Sequence, residues 1–136
     1  MLPSKPICAV AALALLMLPA ISEIARAEEG FPFGLEMTLD AARMPGSKRV
    51  PNLDIGDNGE VILELWCKGG KGQFSVAGSS VIFVAGAFEA RSCPADRAQA
   101  DDDLLATLTD VASWKRQGDL VLFIGPKTLR FHINTN

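Results

Sequence analysis

Over most of this chain the hydrophobic positions recur every second residue. Leu35, Met37 and Leu39 alternate with Glu36, Thr38 and Asp40, which predicts a half-buried strand. Leu53 and Ile55 flank Asp54 in a second short strand, and Asp57-Asn58-Gly59 supplies a strong hairpin signal. The returning strand, residues 60–67, sets Val61, Leu63, Leu65 and Cys67 on the core face and Glu60, Ile62, Glu64 and Trp66 on the other. Gly69-Gly70-Lys71-Gly72 then reads as a turn into a strand at residues 73–76. Gly78-Ser79-Ser80 is a further turn before the β-branched run at residues 81–85. Residues 86–92 read as one more strand, with Phe88 and Ala90 facing away from Glu89 and Arg91.

The period changes once. Leu104, Leu105, Leu108 and Val111 gather on one helical face, and Asp101-Asp102-Asp103 before them suits a first helical turn, where acidic side chains meet the positive end of the helix dipole. Alternation then resumes at residues 114–117, a Gly118-Asp119 turn, Leu120–Ile124, a Gly125-Pro126 turn and residues 128–133. Six to eight short strands with one late helix predict a mainly β (α+β) domain. With no crossover helix between the earlier strands, an antiparallel meander is the expected topology. Residues 42–52 break the pattern with two prolines, a glycine and the basic side chains of Arg43, Lys48 and Arg49. This is a solvated loop and the candidate interaction loop for an anionic partner.

The first 27 residues do not belong to that pattern. Lys5 gives a basic start, an apolar run follows from Ile7 to Ile21, and Ala25-Arg26-Ala27 offers small residues where a signal peptidase reads. The apolar run is shorter than the roughly 20 residues that cross a bilayer comfortably. A cleaved signal peptide at 1–27 and one domain at 28–136 are therefore expected, placing the protein in the periplasm or outside the cell without a membrane span. Cys8 stands near the front of the leader, the wrong place for a lipid-modified first residue. Removing the leader takes away Lys5, Arg26 and Glu23 and leaves 11 basic and 15 acidic residues, a net charge of −4. Such a balance argues against nucleic acid as a partner.

A domain of this size buries a modest core, so a cross-link matters. Cys67 and Cys93 enclose residues 68–92, and an oxidising compartment favours their pairing. Closing that loop restricts the unfolded chain by roughly 3 kcal/mol. Two free buried thiols are the alternative.

Candidate chemistry is sparse. His132, the single histidine, alternates outward with Arg130 on the last strand, with no partner in sequence to make it a base. The two cysteines are not a Cys-x-x-Cys redox pair, and with one histidine they fall short of a four-ligand zinc site. Asp101–Asp103 lack the alternating ligands and closing glutamate of a calcium loop. Gly69, Gly70 and Gly72 lead into strand-like residues, not the helix a phosphate loop requires. Trp66 and Trp114 are expected to be partly buried core members. Neither a cofactor nor a metal is expected.

The order of these features resembles the META domain, the HslJ-like group of exported bacterial proteins. The resemblance lies in a strand ending in Cys67, strands over 72–76 and 81–84, then Arg91-Ser92-Cys93, and in the C-terminal block. That block runs Asp103-Leu104-Leu105-Ala106-Thr107-Leu108, Val111, Trp114, Gly118-Asp119-Leu120-Val121-Leu122 and Leu129-Arg130-Phe131. The resemblance covers most of residues 35–133 and is strongest from Cys93 onward. The chain has Trp66-Cys67-Lys68 where the family commonly shows Gly-Cys-Asn, and Glu89-Ala90-Arg91-Ser92-Cys93 where it often shows Thr-Arg-Met-Ala-Cys. The resemblance implies a half-open barrel or roll with one packed helix, and an envelope role linked to stress tolerance without an established enzymatic activity. The expected function is thus a non-enzymatic, monomeric module in envelope homeostasis, working through surface contacts with an envelope protein. An inhibitor of a lysozyme or protease, inserting the Arg43–Arg49 loop, is the alternative. A small-ligand carrier using the mouth of the roll is a third reading.

Overall fold

The structure, a computed structural model, describes residues 2–4, 14, 16 and 30–135. The leader read at 1–27, with its Ala25-Arg26-Ala27 site, lies outside the described residues but for those isolated positions. No helix among the described residues is long and apolar enough to cross a membrane.

Eight antiparallel strands close into a ring in chain order. They are β1 (Glu36–Leu39), β2 (Asn52–Ile55), β3 (Glu60–Glu64), β4 (Gly69–Ala77), β5 (Ser80–Phe88), β6 (Ser113–Gln117), β7 (Leu120–Ile124) and β8 (Leu129–Ile133), with helix α1 (Ala95–Thr109) between β5 and β6. The ring shuts where β8 meets β1, pairing Met37 with Ile133 and Leu39 with Phe131. The expected meander is therefore present and more fully closed than a half-open roll. One seam stays thin. β5 and β6 pair only at Ser80 and Ser113, because β6 begins opposite the first residue of β5, and α1 packs against β5 instead.

Period-two alternation decides what fills the ring. Met37, Leu53, Ile55, Val61, Leu63, Phe74, Val81, Phe83, Val121, Phe123 and Phe131 all point inward and are buried. An eight-stranded barrel has a lumen just wide enough for side chains to fill. Here Phe74 stacks on Phe123 with centroids 5.4 Å apart, and Phe123 meets Phe131 edge-on at 5.6 Å. Phe31, from the segment before β1, closes one end of the stack against Phe74 and Trp114 at 5.6 and 5.4 Å. Leu104, Leu108 and Val111 add the helix to the same core. The rings that fill the lumen leave the carrier reading without the apolar chamber it needs.

Several local expectations are corrected. Gly69–Gly72 is not a turn: these residues form the start of β4, and the reversal happens at residues 65–68, where the Leu65 N–H donates to the Lys68 carbonyl at 2.8 Å. Glycine is required inside this strand because the Phe88 and Phe83 rings of β5 lie where Cβ atoms on Gly70 and Gly72 would be. Residues 81–85 and 86–92 are not two strands. β5 runs unbroken from Ser80 to Phe88, with an irregularity in register opposite Gly70–Gly72, and Glu89–Pro94 leave the sheet. Cys67 does not face the core, since β3 stops at Glu64 and the cysteine sits half-buried at the barrel end. Finally, α1 starts six residues before Asp101, after Pro94, with only Asp96 as an acid in its first turn.

Candidate functional site

The end of the barrel that carries the disulfide is its most heavily constrained surface. Cys67 and Cys93 are bonded, with S–S 2.04 Å and Cα–Cα 6.0 Å. This ties the turn after β3 to the residue just before α1. Asp101 makes a second tie. It shares a helical stripe with Leu104 and Leu108, and its carboxylate, fully buried, reaches the same turn. Oδ1 accepts from the Trp66 N–H at 2.8 Å, and Oδ2 accepts from the Lys68 and Cys67 N–H groups at 2.8 and 3.2 Å. A buried charge is tolerated when hydrogen bonds replace its hydration, and three backbone donors do so here. Arg91 makes the third tie, donating from Nη1 to the Cys67 carbonyl at 3.0 Å.

Around the clamped turn the basic side chains collect. A cleft of about 320 Å³ is lined by Ser47, Lys48, Arg49, Trp66, Cys67, Arg91 and Arg97. Arg49 pairs with Glu64 at 2.9 Å, and Arg91 pairs with Glu64 at 3.4 Å and with Glu89 at 2.6 Å. The Arg91 guanidinium is raised above its ordinary value, first by the Glu89 hydrogen bond and then by Glu64, against the opposing effect of desolvation. Lys48 and Arg97 have no carboxylate at ion-pair distance among the described residues. Two donors on the lining, Trp66 Nε1 and Arg97 Nε, are buried without an acceptor.

Of the loop residues singled out in the sequence, the structure brings Lys48 and Arg49 to this cleft and leaves Arg43 exposed outside it. At the turn of this loop a Cβ on Gly46 would lie 3.0 Å from Arg97 Nη2, so the loop approaches the end of the Arg97 side chain. Sequence reasoning missed Arg91, Arg97 and Asp101. Pro94 followed by helix-favouring Ala95, Arg97, Ala98, Gln99 and Ala100 was the available sign of an earlier helix start, and it places Arg97 in the first turn. An acid three residues before Leu104 on the apolar stripe was the sign for Asp101.

The other candidates lie apart. His132 is exposed on the outer wall, opposite Thr38 of β1 and Leu120 of β7. No group of three or more His, Cys, Asp or Glu able to hold a metal occurs among the described residues. The Asp101–Asp103 run is split by helical geometry, with Asp101 inward, Asp102 beside Lys68 at 3.6 Å and Asp103 accepting from Gln99 at 2.8 Å. Chemically, the cleft offers fixed positive charge and N–H donors.

The wider comparisons agree with this architecture. No curated protein matches the chain. Among solved structures it is similar to one described as the NMR structure of the protein from Burkholderia xenovorans, with a TM-score of 0.63 and 12% identity over 99% of this chain and 100% of that one. That likeness is one of fold. The META domain family model matches residues 35–132, which takes in the helix and every strand but for the last residue of β8. This chain belongs to the META domain family.

Proposed function

We propose that this META domain is a non-enzymatic, monomeric binding module of the bacterial envelope, contributing to envelope homeostasis under stress through contacts at the disulfide end of its barrel. The observation that carries the proposal is the basic cleft. Its floor is held by a disulfide, a buried carboxylate and an arginine–carbonyl hydrogen bond, so a partner meets a surface that needs little ordering on binding. The leader supports a periplasmic or secreted location. Because Lys48 and Arg49 of the loop line the cleft together with Arg91 and Arg97, docking onto the cleft is favoured over insertion of the loop into an enzyme's active site.

Crosslinking pull-down from the periplasm tests this, comparing the unaltered protein with Arg49→Ala and Arg97→Ala. The expected result is one envelope partner whose recovery falls in both variants. Equal recovery would remove the cleft from the function. Turnover of an envelope substrate by the purified protein, abolished by a single side-chain substitution, would replace the binding reading with an enzymatic one.

A further inference from the structure

The cleft's charge and its idle donors narrow the kind of group it takes. Four cations line it, and no carboxylate does. Glu64 and Glu89 lie just outside and neutralise Arg49 and Arg91, which leaves Lys48 and Arg97 without a carboxylate at ion-pair distance among the described residues. Arg97 also stands in the first turn of α1, where the helix dipole disfavours a cation unless an anion accompanies it. A buried N–H without an acceptor is uncommon in native proteins and marks a place where something is missing. Two such donors, Trp66 Nε1 and Arg97 Nε, lie shut off from solvent on residues that border the cleft. Arg97 comes from the helix, Trp66 from the β3–β4 turn and Lys48 from the β1–β2 loop. The two cations without an ion-pair partner among the described residues come from two segments and suit a group with a double negative charge.

Resting on the surface-contact reading above, we infer that this cleft binds a phosphate group, held by Lys48 and Arg97 beside the Trp66 side chain. A carboxylate carries one charge and would leave the other cation unneutralised. The phosphate reaches the cleft either on a soluble ester or on a lipid headgroup, and the chemistry at the cleft is the same. A hollow of about 340 Å³ on the outer wall is lined by Ile62, Gly70, Ala87 and Phe88 together with the charged Glu64, Lys71 and Glu89, and so favours neither source. Glu64 borders that hollow and also pairs with two arginines of the cleft.

The indole N–H resonances of the ¹⁵N-labelled protein give the readout. Trp114 Nε1 already donates to the Gly78 carbonyl at 2.8 Å and serves as the internal control. Titration with inorganic phosphate at constant ionic strength should shift the Trp66 signal saturably while the Trp114 signal stays in place. Lys48→Ala and Arg97→Ala should each weaken binding about tenfold, the size of one lost charge-assisted hydrogen bond. Arg43→Ala, outside the cleft, should not change it. Glycerol 3-phosphate and vesicles with or without phosphatidylglycerol separate the two sources; Lys48- and Arg97-dependent binding to either sustains the proposal. An unmoved Trp66 signal, binding untouched by both substitutions, or acetate binding as tightly as phosphate would overturn it. Loss of the envelope partner in Arg97→Ala with no phosphate response would sink the phosphate assignment alone and leave the docking surface standing.

Discussion

Replacing Asp101 by alanine removes the acceptor for three backbone N–H groups at once. Asp101 is fully buried, so no water stands ready to replace it. Hydrogen bonds to a charged group contribute about 1.5–3 kcal/mol each, and leaving a buried donor unsatisfied costs about 1–3 kcal/mol. Two of the three bonds are short, at 2.8 Å, and the third is 3.2 Å. These effects are not additive within one network, and the expected loss for Asp101→Ala is about 3–5 kcal/mol, the range for breaking a buried charged interaction from one side. Small domains have about 5–15 kcal/mol in all, so the variant sits near the edge of folding. At about 4–8 °C per kcal/mol, even the lower figure shifts Tm by more than about 10 °C. Urea unfolding followed by tryptophan fluorescence gives the free energy. Amide hydrogen exchange at Trp66, Cys67 and Lys68 gives the local effect, and Asp101→Asn, which keeps one oxygen, should fall between. Asp101→Leu distinguishes hydrogen bonding from space-filling: it should be as damaging as alanine. A loss under about 1 kcal/mol in Asp101→Ala, typical of an ordinary exposed substitution, would refute the account.

Three other perturbations follow from the same structure. Cys67→Ser with Cys93→Ser should lower stability by about 3–4 kcal/mol, as the entropy model gives for a separation of 26 residues, read by denaturation with and without reductant. Gly72→Ala places a methyl group against the Phe83 ring, with its nearest atom 2.6 Å from the new Cβ, and should cost about 1–3 kcal/mol, as overpacking does. Arg49→Ala removes an ion pair whose side chains are 53% and 45% exposed, so stability should change by less than about 1 kcal/mol and any loss of partner binding then reports on contact rather than folding.

The barrel wall was legible because each strand carries its own alternation. Leu35–Asp40 and residues 129–133 read correctly in isolation, since a strand with one face in the core cannot shift by one residue without exposing it. The glycine-rich start of β4 read wrongly. Nothing local distinguishes a glycine needed for a turn from one needed because a phenylalanine eleven or eighteen positions later lies against it, as Phe83 does for Gly72 and Phe88 for Gly70. The helix start failed for a related reason. Three consecutive aspartates look like a first turn, and only tertiary contact with the turn at 66–68 shows that Asp101 belongs inside. Lys48 and Arg49 could be named from the sequence as loop cations. Their company could not, because Arg91 and Arg97 come from segments 42 or more residues away.

The closed barrel constrains where this protein can act. Inward positions are taken by the core, and the phenylalanine stack fills the lumen from Phe31 through Phe74 and Phe123 to Phe131. The proposed recognition therefore falls to the outer wall or to an end. Phe31 and Trp114 seal one end with apolar rings, whereas the other gathers uncompensated charge. Stability and the proposed recognition are coupled there, because the Trp66–Lys68 turn is gripped by Cys93, Asp101 and Arg91 from beyond β5 and also borders the cleft through Trp66 and Cys67. The disulfide thus has a role beyond restricting the unfolded chain. It fixes one wall of the cleft relative to the helix that supplies Arg97, and its reduction should loosen the cleft before it unfolds the barrel.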